Sequence, residues 1–143
     1  MRRSGTATGV IFGLLLVPAF ITMIAAIHIC QDEHKLLSLI AVIFTGMYGV
    51  FVSFNYFFTL GFIGRGLDVP RILDMAEPDS IFIVIEVLGY FFMGLATLFL
   101  VPLFRKTTLD KWIAGLFFIN GLLGIGGLVA FGLKWDLTII YGD

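Results

Sequence analysis

Four long runs of apolar residues make up most of this chain, and they limit its fold more than any other feature. They cover residues 9–29, 36–64, 80–104 and 112–133. A helix rises ~1.5 Å per residue, so ~20 residues cross the ~30 Å hydrocarbon core of a bilayer. Because each run is long enough, we predict an all-α integral membrane protein. It would be a four-transmembrane-helix bundle and a single membrane domain over residues 1–143.

The composition favours lipid, rather than water, as the solvent for these runs. Charged residues make up 13% of the chain and hydrophobic residues 59%, whereas soluble domains average about 25% and about 45–50%. A small soluble domain keeps much of its surface exposed and has too little interior for this much apolar area. The net charge of −1 gives no sign of a nucleic-acid partner. The predicted partner is therefore the lipid bilayer.

The first run could instead belong to a cleaved signal peptide, because Arg2 and Arg3 precede it. Signal peptides have an apolar core of only about 7–15 residues, followed by small residues at a cleavage site. This run is longer and ends at 27–30 in IHIC, so we predict a retained helix. Pro18 lies near its middle and lacks a backbone N–H, so we expect a kink there.

The segment at 65–79 is the longest polar joint. Asp68 is a residue type that caps helices, and Pro70 suits a first helical turn because its missing N–H is not needed there. We therefore predict a short amphipathic helix on the membrane surface between helices 2 and 3. The second run exceeds the bilayer thickness, so it should tilt or fray near Gly61 and Gly64.

The two shorter joints fix which helices are neighbours. The segment at 31–35 is a tight turn, so helices 1 and 2 should be antiparallel neighbours. The segment at 105–111 is basic. It should attract the acidic side chains of Asp32 and Glu33, which lie at the same end of a four-helix bundle.

Glu86 is the only acidic or basic residue well inside any of the four runs. It lies roughly 9 Å below the edge of its run, and charged residues at such depth usually face a bundle interior. Asn55 and Tyr56 reach a similar depth on the antiparallel second run, and Tyr90 lies one turn beyond Glu86. Together with Asn120 of the fourth run, these residues form the candidate intramembrane polar site.

Two interpretations of this site remain open. Glu86 could be a protonatable group that lines a cavity. It could also be a neutral carboxyl that is hydrogen-bonded to Asn55 or a tyrosine. Such a bond between two membrane helices stabilises their contact by ~0.6 kcal/mol or slightly more. For Asn120 the sequence favours a structural hydrogen bond to a neighbouring helix over contact with a substrate.

The fourth run is rich in glycine, which lowers the stability of a soluble helix by ~1 kcal/mol per residue. In lipid, small residues let helices approach closely. Gly126 and Ala130 form a small-xxx-small pair, and Gly124 and Gly127 share a face with Asn120. We predict that these four small residues mediate helix packing.

No metal, cofactor or enzyme active site is predicted. The segment 28–34 contains His28, Cys30, Asp32, Glu33 and His34, all potential metal ligands, but their spacing matches no established site. One intramembrane acid without a base or metal partner does not define a catalytic mechanism. We therefore lean against an enzyme.

The sequence leaves two functions in competition. The favoured one is a small helix-bundle subunit that acts by lateral association, as a homo-oligomer or with another membrane subunit. The alternative is a small oligomeric proton-coupled carrier or channel with Glu86 as its titrating group. The basic residues Arg2 and Arg3 and the even number of runs predict that both termini are cytoplasmic.

Overall fold

Four long α-helices joined by short segments make up the fold. The computed structural model describes residues 3–63, 70–73 and 80–141. The helices are α1 (Arg3–Cys30), α2 (Lys35–Phe58), α3 (Ile81–Leu100) and α4 (Thr108–Tyr141), and the described ranges contain no strand. Each helix includes a stretch that is long and apolar enough to cross a membrane. This confirms the all-helical prediction and suggests a multi-pass membrane protein.

The helices pack in the order in which they occur along the chain. α1 packs on α2, α2 on α3, and α3 on α4. Among the described residues, no Cα of α1 lies within 8 Å of α3 or α4, and none of α2 lies within 8 Å of α4. α2 and α3 are therefore the inner pair, and α1 and α4 are the outer helices. The predicted packing of α1 against α2 is confirmed.

The two ends of the bundle differ, and each is given a name here. The joint end contains the start of α1, the segment between α2 and α3, and the end of α4. The turn end contains the short connections at 31–34 and 104–107. An apolar core closes the turn end, and its buried members are Ile24, Ala41, Ala96, Leu100 and Leu103.

The buried face of α2 is unusually polar for so apolar a helix. Apart from the adjacent pair at 48 and 49, its buried residues recur every three or four positions, which is the spacing of one helix face: Ser38, Ala41, Thr45, Tyr48, Gly49, Val52 and Asn55. Phe54 and Phe57 point outward instead and are 56% and 76% exposed. The sequence thus directs polar groups of α2 to the protein interior.

The ends of α2 and α3 follow local chemistry. α2 passes into a π-helical turn at Thr59–Ile63, so the chain is still helical at Gly61, where fraying was predicted. Gly64, the other predicted position, lies outside the described residues. The Thr59 hydroxyl donates to the Asn55 carbonyl at 2.9 Å. α3 begins after Ser80, whose side chain accepts a hydrogen bond from the Phe82 N–H. It ends in a 3-10 turn that contains Pro102.

α4 begins earlier than the predicted run at 112–133. Thr107 and Asp110 form a capping box. The Thr107 hydroxyl accepts from the Asp110 N–H at 3.1 Å, and the Asp110 carboxylate accepts from the Thr107 N–H at 2.8 Å. These bonds satisfy amides that would otherwise lack partners at the helix start. The helix then continues to Tyr141, through most of the segment that follows the fourth run.

Pro18 lies inside α1 without ending it. The Thr22 hydroxyl donates to the Pro18 carbonyl at 2.8 Å. Proline removes one backbone hydrogen bond, and back-bonding by a threonine often bends a helix. The expected kink therefore has two local causes in one turn.

The predicted amphipathic helix between α2 and α3 falls mostly outside the described residues. Within that segment, Arg71–Leu73 forms a single 3-10 turn. The Ser80 hydroxyl donates to the Ile72 carbonyl at 3.2 Å, which fastens this turn to the start of α3.

Candidate functional site

Four polar side chains from α2 and α3 meet inside the apolar part of the fold, and we call them the Glu86 cluster. Tyr56 Oη donates to Glu86 Oε1 at 3.3 Å, and Asn55 Nδ2 donates to Glu86 Oε2 at 3.5 Å. The Tyr56 and Tyr90 hydroxyls lie 3.3 Å apart. Both carboxyl oxygens thus face donors on the neighbouring helix.

Helix geometry explains this convergence. Glu86 and Tyr90 are four residues apart on α3, so they share a face. Asn55 and Tyr56 lie near the end of α2, which runs antiparallel to α3 and reaches the same depth. A continuous chain of hydroxyl and carboxyl oxygens results, from Tyr90 through Tyr56 to Glu86.

The side chain of Asn55 has an acceptor atom that its contact with Glu86 does not use. Its side chain is fully buried, with 0% exposure. In the described structure, its Oδ1 atom has no hydrogen-bond partner. The Nδ2 and Oδ1 atoms are bonded to the same carbon, so a half-turn of the amide exchanges a donor for an acceptor beside Glu86. Asn55 can therefore donate to an ionised Glu86 or accept from a protonated one.

Gly13 of α1 makes room for the Tyr56 ring. A Cβ atom at Gly13 would overlap Tyr56 Cε2 and lie 2.8 Å from Tyr56 Cζ. α1 thus helps to position a residue of the Glu86 cluster. Sequence analysis missed this role, because nothing in the spacing of Gly13 indicates which neighbour it faces.

Aromatic side chains continue inward from the cluster. The Tyr48 and Tyr90 ring centroids are 6.2 Å apart, and Phe20 meets Tyr48 edge-on at 5.4 Å. Tyr48 and Val52 are each only 1% exposed, whereas Glu86 and Tyr90 keep part of their surface accessible. Tyr56, Glu86 and Tyr90 are therefore more accessible than the layer beneath them, whereas Asn55 is fully buried.

Asn120 lies apart from the Glu86 cluster. Its Nδ2 donates to Thr97 Oγ1 at 3.1 Å, and the Thr97 hydroxyl donates to the Gly94 carbonyl at 2.9 Å. Thr97 is eleven residues beyond Glu86 on α3, or roughly 16 Å along the helix. Asn120 thus hydrogen-bonds α4 to α3 at a separate place.

The small residues of α4 lie on two different faces. A Cβ at Gly124 would lie 2.8 Å from the Tyr90 carbonyl oxygen and 3.0 Å from Gly94 Cα, so this glycine allows close contact with α3. At Gly126 and Gly127 a Cβ would meet no atom within 4 Å. Ala130 is also exposed. Of the four predicted packing residues, Gly124 packs within this chain and the other three lie on an outer face.

Polar contacts at the turn end join helices. Lys106 Nζ lies 3.3 Å from Glu33 Oε2, which confirms the predicted attraction between the two turns. His28 Nδ1 is 2.8 Å from Ser38 Oγ, and Lys35 pairs with Asp32 at 3.1 Å. Within the described ranges, no three His, Cys, Asp or Glu residues are grouped so that they could hold a metal ion.

No protein-family model, curated protein or solved structure matches this chain. Its own geometry is therefore the basis for proposing a function.

Proposed function

We propose that this chain is an integral membrane protein and a proton-coupled carrier or channel in which Glu86 gains and loses the coupled proton. Large apolar side chains on the outer helix faces support the membrane location, since water would not favour exposing them. Trp112, for example, is 72% exposed near the start of α4, as expected of a residue at a membrane interface.

The contact of Glu86 with Tyr56 and Asn55 carries this proposal. An ionisable residue inside a membrane is unfavourable unless it is paired, and it commonly marks a proton or ion pathway. The apolar stretches at 9–27, 36–63 and 81–103 contain no Lys, Arg or His. These described stretches therefore supply no cationic side chain to Glu86, and its neighbours can accommodate either of its protonation states.

Glu86→Gln tests the proposal, because glutamine keeps the shape of the side chain but cannot ionise. In proteoliposomes with an entrapped pH dye, wild type should dissipate an imposed pH gradient with at least one member of a solute panel. The panel should include organic cations, organic anions and neutral solutes. Glu86→Gln should retain assembly and thermal stability but lose this dissipation.

Glu33→Gln is the matched control, since it makes the same chemical change at the exposed turn end. It should behave like wild type. Equal dissipation by wild type and Glu86→Gln across the panel would contradict the proposal and leave Glu86 as a structural link between α2 and α3.

The second candidate function is lateral association, and the outer face of α4 favours it. Among the described residues, the backbone of α4 packs on α3 and on the 3-10 turn that follows α3, and on no other element. Gly126, Gly127 and Ala130 lie exposed on α4. Small residues let transmembrane helices approach one another. Mass measurement in detergent tests self-association: a purely monomeric protein would exclude homo-oligomers.

We further propose that both termini are cytoplasmic, which places the joint end and Glu86 towards the cytoplasm. Arg2 and Arg3 at the start of the chain support this orientation by the positive-inside rule. The segment 65–79 would then lie on the cytoplasmic membrane surface as the short amphipathic helix.

A further inference from the structure

We infer that the Glu86 cluster binds a hydrophobic organic monocation, such as a protonated amine or a quaternary ammonium or phosphonium ion. This inference rests on the proposed function and names the substrate class of the same site. A bound cation and a proton would occupy the Glu86 carboxyl alternately.

The chemistry of the groups present supports a cation. Ionised Glu86 offers two acceptor oxygens, and the fully buried Asn55 carries an unpaired Oδ1 in the described structure. Two donors, Tyr56 Oη and Asn55 Nδ2, already contact the carboxyl. A carboxylate at this depth in a membrane needs a compensating positive charge. The stretches 9–27, 36–63, 81–103 and 112–133 of the described helices contain no Lys, Arg or His that could supply it.

The aromatic surroundings favour an organic cation over a strongly hydrated metal ion. The Tyr48 and Tyr90 rings are tilted by 45° with their centroids 6.2 Å apart. Tyr90, Phe20 and Met93 pack against the buried group of Val17, Tyr48 and Val52. Ring faces attract cations because their π-electron density is negative. Hard cations such as Ca²⁺ need six to eight oxygen ligands, more than this cluster provides.

Competition between a proton and the cation for the Glu86 carboxyl predicts how cation binding depends on pH. In the described structure, the titratable groups around Glu86 are Tyr56 on α2 and Tyr90 on α3, with Tyr48 beside Tyr90. The stretches 9–27 of α1 and 112–133 of α4 contain none. Acid protonates Glu86 and removes the charge that attracts the cation. Cation binding should therefore weaken as the pH falls, and binding should release a proton.

Equilibrium dialysis of tetraphenylphosphonium against the purified full chain in detergent tests this inference, with protein-free micelles as the blank. Wild type and Glu33→Gln should bind saturably, and acid should weaken the binding. Glu86→Gln should bind about tenfold or more weakly. Tyr90→Leu keeps the carboxyl but removes a ring face, so it should bind about twofold to about twentyfold more weakly.

Two results would overturn the inference: no saturable binding to wild type, or binding that Glu86→Gln leaves unchanged. If Glu86→Gln fails to fold, unchanged binding by Tyr90→Leu overturns it instead. Glu86-dependent proton movement with only anionic or neutral solutes would also overturn it, while leaving the proposed function intact. Absence of any Glu86-dependent proton movement would remove the proposed function itself.

Discussion

The position of one tyrosine ring shows how a residue far away in sequence shapes the Glu86 cluster. Tyr56 is the only residue of the cluster whose hydroxyl, within the described structure, meets both Glu86 and Tyr90. Its ring lies against Gly13 of α1, where a Cβ would overlap it. The clash would involve the far end of a side chain that can rotate. A larger residue at position 13 should therefore displace the ring without unfolding the helix pair.

Gly13→Ala is expected to reduce Glu86-dependent dissipation of a pH gradient as strongly as Tyr56→Phe does. Its unfolding free energy should change by no more than about 1 kcal/mol, because alanine's better helix propensity offsets part of the crowding. Gly9→Ala on the same helix is the control, since a Cβ there meets no atom within 4 Å. Normal dissipation by Gly13→Ala would show that the ring position does not matter.

Depth and helix spacing were enough to predict which residues of α2 and α3 meet. Glu86 and Tyr90 share a face by their spacing, and Asn55 and Tyr56 match their depth on an antiparallel neighbour. The same reasoning could not place Asn120, because glycines occur around much of α4 and leave its rotation undetermined. The contact of Gly13 with Tyr56 could not be predicted from the sequence either, because it depends on how α1 and α2 pack.

At the level of elements, glycines bring the backbones of α3 and α4 close together. A Cβ at Gly94 would lie 3.1 Å from the Gly121 carbonyl oxygen and 3.1 Å from Gly124 Cα. Backbone atoms cannot rotate away as a side chain can. The hydrogen bond from Asn120 to Thr97 joins the same two helices.

Gly124→Leu should lower the unfolding free energy in detergent by about 1–3 kcal/mol or more, because the added side chain meets backbone of α3. Gly127→Leu is the matched comparison on the same helix. Its site is open, so its unfolding free energy should stay within about 0.5 kcal/mol of wild type. Thermal unfolding in detergent measures both changes, and equal losses would contradict the assignment of faces.

The residues at which helices begin and end were harder to predict than which segments are helical. The residues Thr107 and Asp110 have the spacing of a capping box, but the surrounding basic residues at 105–111 suggested a turn. Hydropathy reports where lipid is favourable, whereas a helix begins where its first amides find acceptors. α4 therefore begins four residues before the predicted apolar run.

For the whole molecule, the single cysteine offers a direct test of orientation. Cys30 is an exposed free thiol at the turn end. With cytoplasmic termini, a membrane-impermeant maleimide should label Cys30 in intact cells. A Ser4→Cys variant that also carries Cys30→Ser should be labelled only after the cells are permeabilised.

The reverse pattern would establish the opposite orientation. Labelling of both positions in intact cells would contradict the proposal of four membrane crossings, because residues 4 and 30 are separated by one span.

Since every helix of the described fold packs its backbone only against its neighbours in sequence, the molecule can be assembled as it is synthesised. Each helix after the first would find its packing partner already synthesised. Contacts between elements that are near in sequence are typical of rapid folding. We therefore expect truncation after the third helix and its 3-10 turn to leave a packed remnant, because all the buried members of the turn-end core are then present.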